Sequence, residues 1–436
     1  MSARLNLLRR VVLLKPGEGP ILAWATAYFF LLLMSYYLLR PMREALGIAK
    51  GADKLPWLLT GTLIAMLVAN PLYAAIAARL PRRRIIPITY RFFGVAMLLF
   101  WVAFRLLPTG PGSTLGYGFF IWLSVFNLFV VSVFWGLLDD LFTEDMGKRL
   151  FGLITVGGTL GAIAGSGLTG LLSKGVTLMG TRLAFDAGSQ LLLSAALLEG
   201  SVQCMQQLAR RFDMPNEVGG AKEPGPGLLE GLRLVVTSRY LQVICVNMLL
   251  FTITSTMLYL QQGQIVERSF AGQQARTAAF ATLDLWTNVV TLATQLFLSG
   301  RIITWLGLRP VLCLLPLMTL AGFGVLVFWP SFAVLAVIMV ARRGLNYAVD
   351  RPAKEILYIP LGPAEKYKSK PFIDTFVYRA GDLLGVWTPT VLAIIAIPLS
   401  SVALAASALW LGAGLSLGTL WNRRSKAAPA PTESPK

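Results

Sequence analysis

Histidine is absent from the 436 residues, and cysteine is reduced to Cys204, Cys245 and Cys313. With no imidazole there is no histidine proton relay, and with no paired cysteine spacing there is neither a disulfide framework nor a zinc cluster. Charge is scarce as well: 14% of residues are charged against 56% hydrophobic, with a mean hydropathy of +0.66. A water-facing globular surface cannot be built from that composition. What is present instead is an all-α integral membrane protein, with lipid as its main solvent.

Apolar stretches of about twenty residues, the length that spans a hydrocarbon layer of roughly 30 Å, recur from end to end. Twelve are expected, at 21–39, 56–78, 85–107, 114–138, 150–173, 183–203, 240–262, 277–299, 309–328, 331–349, 372–397 and 400–421. The first follows Arg4, Arg9, Arg10 and Lys15, as a signal peptide would. It is nevertheless long for an h-region and runs into Arg40-Pro41-Met42-Arg43 with no small-residue cleavage site, so it reads as a retained helix.

The net charge of +18 invites a nucleic-acid reading, but no single basic face collects it. With the N-terminus inside, 28 Lys/Arg fall on cytoplasmic segments or the span ends beside them and 9 on the opposite side, while Arg91 and Arg379 lie within spans. That asymmetry is the positive-inside pattern. Both termini are therefore expected in the cytoplasm, the bacterial inner membrane being the expected location.

The long polar stretch 204–239, with Arg210-Arg211, a Pro/Gly-rich run and an amphipathic Leu228 to Tyr240, reads as a cytoplasmic linker. It separates two six-helix halves, 1–203 and 240–421, with 422–436 as a cytoplasmic tail. The halves resemble each other at an offset of 221 to 226 residues. The turn from Ala74 through Arg79-Leu80-Pro81-Arg82-Arg83 matches that from Gly300 through Trp305-Leu306-Gly307-Leu308-Arg309, and Glu144, Arg149, Phe151 and Val156 align with Glu365, Lys370, Phe372 and Val377. A parallel repeat of six helices is a secondary-transporter signature.

Ionisable groups inside a span cost several kcal/mol and need a cavity or a partner. Asp284, Asn288, Thr291 and Gln295 share one face of the eighth span, either as interhelical glue or as cavity lining. Asp374, Tyr378 and Asp382 recur every fourth residue in the eleventh, with Arg379 placed to pair with Asp382. Gly157, Gly161 and Gly165 form overlapping Gly-x-x-x-Gly steps that imply close helix contact. Finally, Arg351-Pro352-Ala353-Lys354-Glu355 repeats the order Arg40-Pro41-Met42-Arg43-Glu44, two basic clusters on opposite sides of the membrane that suit an anion. Arg342, Arg343, Lys366, Lys368 and Lys370 surround the second cluster, where topology alone also places basic residues.

The two turns resemble the loop motif Gly-x-x-x-Asp-Arg-x-Gly-Arg-Arg of the major facilitator superfamily, with Ala74, Ala78 and Pro81 departing from it. More specifically, Lys354-Glu355-Ile356-Leu357-Tyr358-Ile359-Pro360-Leu361, Lys366, Lys368, Lys370 and Ile373-Asp374 resemble the nucleotide transporter family, the ATP/ADP translocases. Arg40 to Glu44 is similar to that family's first-helix motif Arg-x-x-Lys-Asp. Where the family carries an acidic residue in its fourth helix, Ser124 stands here, ahead of Val131-Ser132-Val133-Phe134-Trp135.

The resemblance implies counter-exchange of phosphate-bearing nucleotides, with Arg43 and Lys354 binding phosphate. The sequence thus predicts a monomeric carrier, with no catalytic residue, metal or cofactor. Its expected substrate-binding set is Arg40, Arg43, Glu44, Lys354, Glu355 and Arg379. Asp284, Asn288, Asp374, Tyr378 and Asp382 are expected as coupling or cavity groups. A proton-coupled carrier of another organic anion, titrating Asp284 or Asp382, is the alternative. A membrane enzyme using Asp139-Asp140, or a non-transporting sensor, stands further off.

Overall fold

A helix in lipid satisfies its backbone groups internally, which an isolated strand or loop cannot do, and the apolar stretches accordingly form helices. The computed structural model describes residues 15, 17–77, 79, 82–107, 113–174, 176–178, 181–183, 187–212, 228–297, 299–394 and 398–427. Arg4, Arg9 and Arg10, the turn residues Ala78, Leu80 and Pro81, the linker residues 213–227 and the tail from 428 lie outside these.

The first helices are α1 (Glu18–Gly47), α2 (Leu55–Ala77), α3 (Arg82–Leu106), α4 (Thr114–Leu141), α5 (Glu144–Lys174) and α6 (Ala187–Arg211). Between α5 and α6, Val176–Leu178 and Thr181–Leu183 pair antiparallel, so Leu183, expected to open the sixth span, ends a strand instead. Then come the linker helix α7 (Leu228–Thr237), α8 (Arg239–Ser269), α9 (Gln273–Phe297), the short α10 (Ser299–Leu306), α11 (Leu308–Phe328), α12 (Phe332–Leu345), α13 (Arg351–Ile356), α14 (Pro363–Phe372), α15 (Tyr378–Ile394) and α16 (Leu399–Ala427).

In its described residues each of the twelve apolar stretches lies mainly on helix, and among the described residues nine helices are long and apolar enough to cross a membrane. Polar residues lower the hydropathy of α6 and α9, which carry Glu199 with Gln203 and Asp284 with Asn288, and α15 has only 17 residues.

Two compact units emerge, one of Met1–Ala221 with Val266–Val289, the other of Lys222–Ile265 with Val290–Lys436. In the first, α1 lies against α5 because glycines remove the side chains that would hold them apart. A Cβ on Gly161 would run into the Phe30 carbonyl, and one on Gly165 would sit 2.6 Å from that of Met34. Phe29 stacks on Phe134 at 4.2 Å in the aromatic core beside them. At one end, Arg149 donates to both Glu18 carboxylate oxygens at 2.7 Å and to Asp145 at 2.9 Å, and Lys15 adds a second bond to Asp145. Those two cations hold the exposed Asp145 carboxyl down at about 2, so this clamp is charged at any ordinary pH.

The second unit repeats the glycine device between α8 and α15. A Cβ on Gly381 would strike Thr252, and one on Gly385 would come within 3.0 Å of the Ile253 carbonyl. Gly381 and Gly385 lie 224 residues beyond Gly157 and Gly161, and Thr252 lies 226 beyond Thr26, which Gly157 abuts. The amphipathic α7 rests on α14, where Gly231 leaves room for Phe372 and Glu230 pairs with Lys368.

Twice the helical ladder widens to π geometry, at Asn346–Asp350 before α13 and at Ile373–Val377 before α15. Pro352 and Pro371 each lack the N–H that would continue the i−4 ladder, which places the irregularity beside them.

Candidate functional site

In the first unit a cationic cluster closes the end of α1. Arg40 pairs with Asp284 of α9 at 2.9 Å and stands 4.0 Å from Glu44. Arg43 pairs with Glu44 at 2.8 Å, donates through Nε to the Phe120 carbonyl at 3.2 Å, and lies 3.9 Å over the Phe120 ring. Gly47, one turn on, leaves the space that this ring occupies. Arg43, Glu44 and Asp284 are all buried, so two cations and two carboxylates share one dry site and their charges cancel. Ser124 spends its hydroxyl proton on the Phe120 carbonyl at 2.7 Å, leaving Glu44 as the acid beside Arg43. Asn288 donates to the Asp284 carbonyl at 2.8 Å, while the buried hydroxyls of Thr287 and Thr291 meet no partner among the described residues.

The second unit holds a cluster of different balance. Lys354 reaches back one turn to Asp350 at 2.7 Å and sits 3.8 Å over the Phe251 ring. Asp350 closes the π turn and is almost fully buried. Arg342, also buried, donates from Nε to Thr319 Oγ1 at 2.9 Å and from Nη2 to Ser255 Oγ at 2.7 Å, with its guanidinium 5.7 Å from the same ring. Both hydroxyls pass their own protons to backbone carbonyls, of Leu315 and Phe251. Arg342 is therefore fixed by neutral acceptors, with no carboxylate paired to it among the described residues. The cluster of Arg342, Lys354 and Asp350 keeps one positive charge in excess. An anion is the natural complement to such a charge in a low-dielectric setting.

Tyr378 aside, the remaining candidates lie apart from these contacts. Glu355 bonds Lys370 at 2.6 Å on the exposed end of α14 instead of meeting Lys354. Arg379 stands 3.5 Å from Asp382, which also accepts from Thr256 at 3.4 Å. Tyr378 faces Phe251 with ring centroids 6.5 Å apart, and Asp374 is exposed within the second π turn. Among the described residues no three metal-ligating side chains converge, at Asp139-Asp140 or elsewhere. Sequence reasoning passed over Arg342 and Asp350 as members of the site. Arg342 looked like topological charge, although its spacing of twelve residues from Lys354 on one helical path, with an acid between, was there to be read.

Long apolar helices with buried ion-paired clusters inside them mark a multi-pass membrane protein, and the solved structures that share its fold include transporters. The auto-inhibited peptide transporter of the POT family superposes with a TM-score of 0.59 at 13% identity, covering 95% of this chain and 99% of its own. The nucleoside transporter NupG superposes at 0.53 and 12% identity, covering 94% and 100%. At such identities the likeness speaks to the fold.

The chain belongs to the TLC ATP/ADP transporter family, whose model matches residues 119–413. ADP,ATP carrier protein 1 of Chlamydia muridarum is 23% identical over 416 residues, covering 81% of this chain and 78% of the relative. The plastidic ATP/ADP-transporter of Solanum tuberosum is 24% identical over 451 residues, covering 90% and 71%.

Proposed function

We propose that this protein exchanges nucleotides of the ATP/ADP type across a bacterial inner membrane by alternating access, as a monomer with twelve crossings in two six-helix halves. It is a carrier and not an enzyme, consistent with its family. The observation that carries the substrate reading is the buried Arg342 and the half-buried Lys354, which share the Phe251 ring with one carboxylate, Asp350, bonded to the lysine. Arg40 and Arg43 supply a second anion site, in which Glu44 and Asp284 hold the cations until phosphate replaces them. The glycine contacts repeated 224 residues apart support the two-half plan.

The test is uptake of labelled ATP into proteoliposomes. Uptake should require ADP or ATP on the inside, and unlabelled nucleotide outside should compete. Uptake independent of internal nucleotide, or an absence of nucleotide movement beside transport of another anion, would reject exchange. A proton-coupled mechanism is the second reading, because Asp382 lies partly open between Thr256 and Arg379. An Asp382→Asn variant separates the two: it spares exchange at equal pH in the first reading and abolishes gradient-driven uptake in the second.

A further inference from the structure

At the end of the first unit that leads into the linker, α3 begins and α6 ends beside one another. Between them lies a cavity of about 180 Å³ lined by Arg83, Met205, Gln206, Ala209 and Arg210. That volume equals about six waters at roughly 30 Å³ each, ample for a phosphate group. Arg83 and Arg210 are exposed, and neither has an ion-pair partner among the described residues. Two guanidiniums and an amide thus present donors from both walls and no acceptor carboxylate.

The cavity is the open end of a longer polar seam. On α6, Glu199, Gln203, Gln206 and Arg210 recur at i, i+4, i+7 and i+11 and so share a face. The deeper half of this stripe closes on itself. Arg91 of α3 donates to both Glu199 oxygens, at 3.1 and 2.9 Å, and Gln203 adds a bond at 2.8 Å. The outer half meets no ion-pair or hydrogen-bond partner among the described residues. The neighbouring face of α3 is apolar and exposed from Ile88 through Phe92 and Val95 to Leu99, as acyl chains require.

We infer that this cavity binds the phosphate of an anionic phospholipid, held between Arg83 and Arg210 with Gln206 beneath it. A charged pocket at a helix end, with an apolar face beside it, matches an amphiphile with a phosphate head and hydrocarbon tails. Arginine forks grip phosphate oxygens in pairs, which a zwitterionic headgroup offsets with its own cation. A soluble phosphate would use the same donors but none of the apolar face.

The full-length protein in neutral detergent is titrated with dioctanoyl phosphatidylglycerol, dioctanoyl phosphatidylcholine and inorganic phosphate while thermal unfolding is followed. Phosphatidylglycerol should raise the melting temperature with concentration, and the other two should not. An Arg83→Gln, Arg210→Gln double variant should lose apparent affinity for phosphatidylglycerol on the order of tenfold or more. Arg309→Gln, at an exposed arginine outside the cavity, should bind as the native chain does. If the double variant does not fold, the Arg83→Lys, Arg210→Lys pair carries the test, with weakened binding still expected. Unchanged lipid affinity in either double variant overturns the site. Equal response to phosphatidylcholine overturns the anionic preference. A phosphate response as large as the lipid's, abolished by the same variants, makes the cavity a soluble-anion site and overturns the lipid assignment.

Discussion

Lys354 and Arg342 sit over one ring, yet replacing them should have different consequences. Lys354→Gln removes the counter-ion of a buried carboxylate, so Asp350 is left uncompensated and the melting temperature should fall. Adding Asp350→Asn should restore stability without restoring nucleotide affinity. Arg342→Gln orphans no carboxylate, because Ser255 and Thr319 already bond backbone carbonyls, and stability should hold or rise. Both single variants should weaken ADP binding by about 1.5–3 kcal/mol, the scale of a charge-assisted hydrogen bond, as read by calorimetric titration. Native affinity in both would remove these residues from the site. The motif around Lys354 was legible in the sequence because its residues are consecutive. Its true counter-ion was not, since Glu355 is the next residue and Asp350 is four residues back, and only the helix turn decides that Asp350 faces the lysine while Glu355 turns outward to Lys370.

Helix positions were readable because lipid demands uninterrupted apolar length, and close contact at Gly157, Gly161 and Gly165 was readable because small residues at four-residue steps have few other uses in a membrane. The π turns were not, since a shifted ladder leaves apolar periodicity almost unchanged; Pro352 and Pro371 hint at a break without fixing its geometry. The second glycine pair, Gly381 and Gly385, went unread because Asp382 and Arg379 drew the reading of that helix toward charge. A direct measure of the glycine contacts is Gly161→Val, which should cost about 1–3 kcal/mol through the forced separation of α1 from α5 and lower the melting temperature in detergent. Gly412→Val is the control, since a Cβ there meets nothing within 4 Å. Equal stability of the two variants would remove close packing as the reason for the motif.

For the whole molecule, orientation follows from basic-residue placement and exchange follows from charge. With 28 Lys/Arg on the side expected to be cytoplasmic against 9 opposite, a reporter fused after Asn422 should be active only in its cytoplasmic form; activity outside would invert the topology. Arg40 and Arg43 are neutralised by Asp284 and Glu44, whereas Arg342, Lys354 and Asp350 retain one positive charge. Passing an unmatched charge through a dry transition costs several kcal/mol, so the empty carrier should reorient slowly. A bound polyphosphate supplies the negative charge that Arg342 and Lys354 lack, which makes the loaded form the mobile one. Efflux of labelled ADP from proteoliposomes should therefore be slow into nucleotide-free buffer and accelerate at least tenfold, a difference of about 1.4 kcal/mol in barrier, when ATP is added outside. Arg342→Gln should narrow that ratio by speeding the empty return, because the excess charge is gone. Equal ratios in variant and native protein would mean that Arg342 does not set the cost of the empty state.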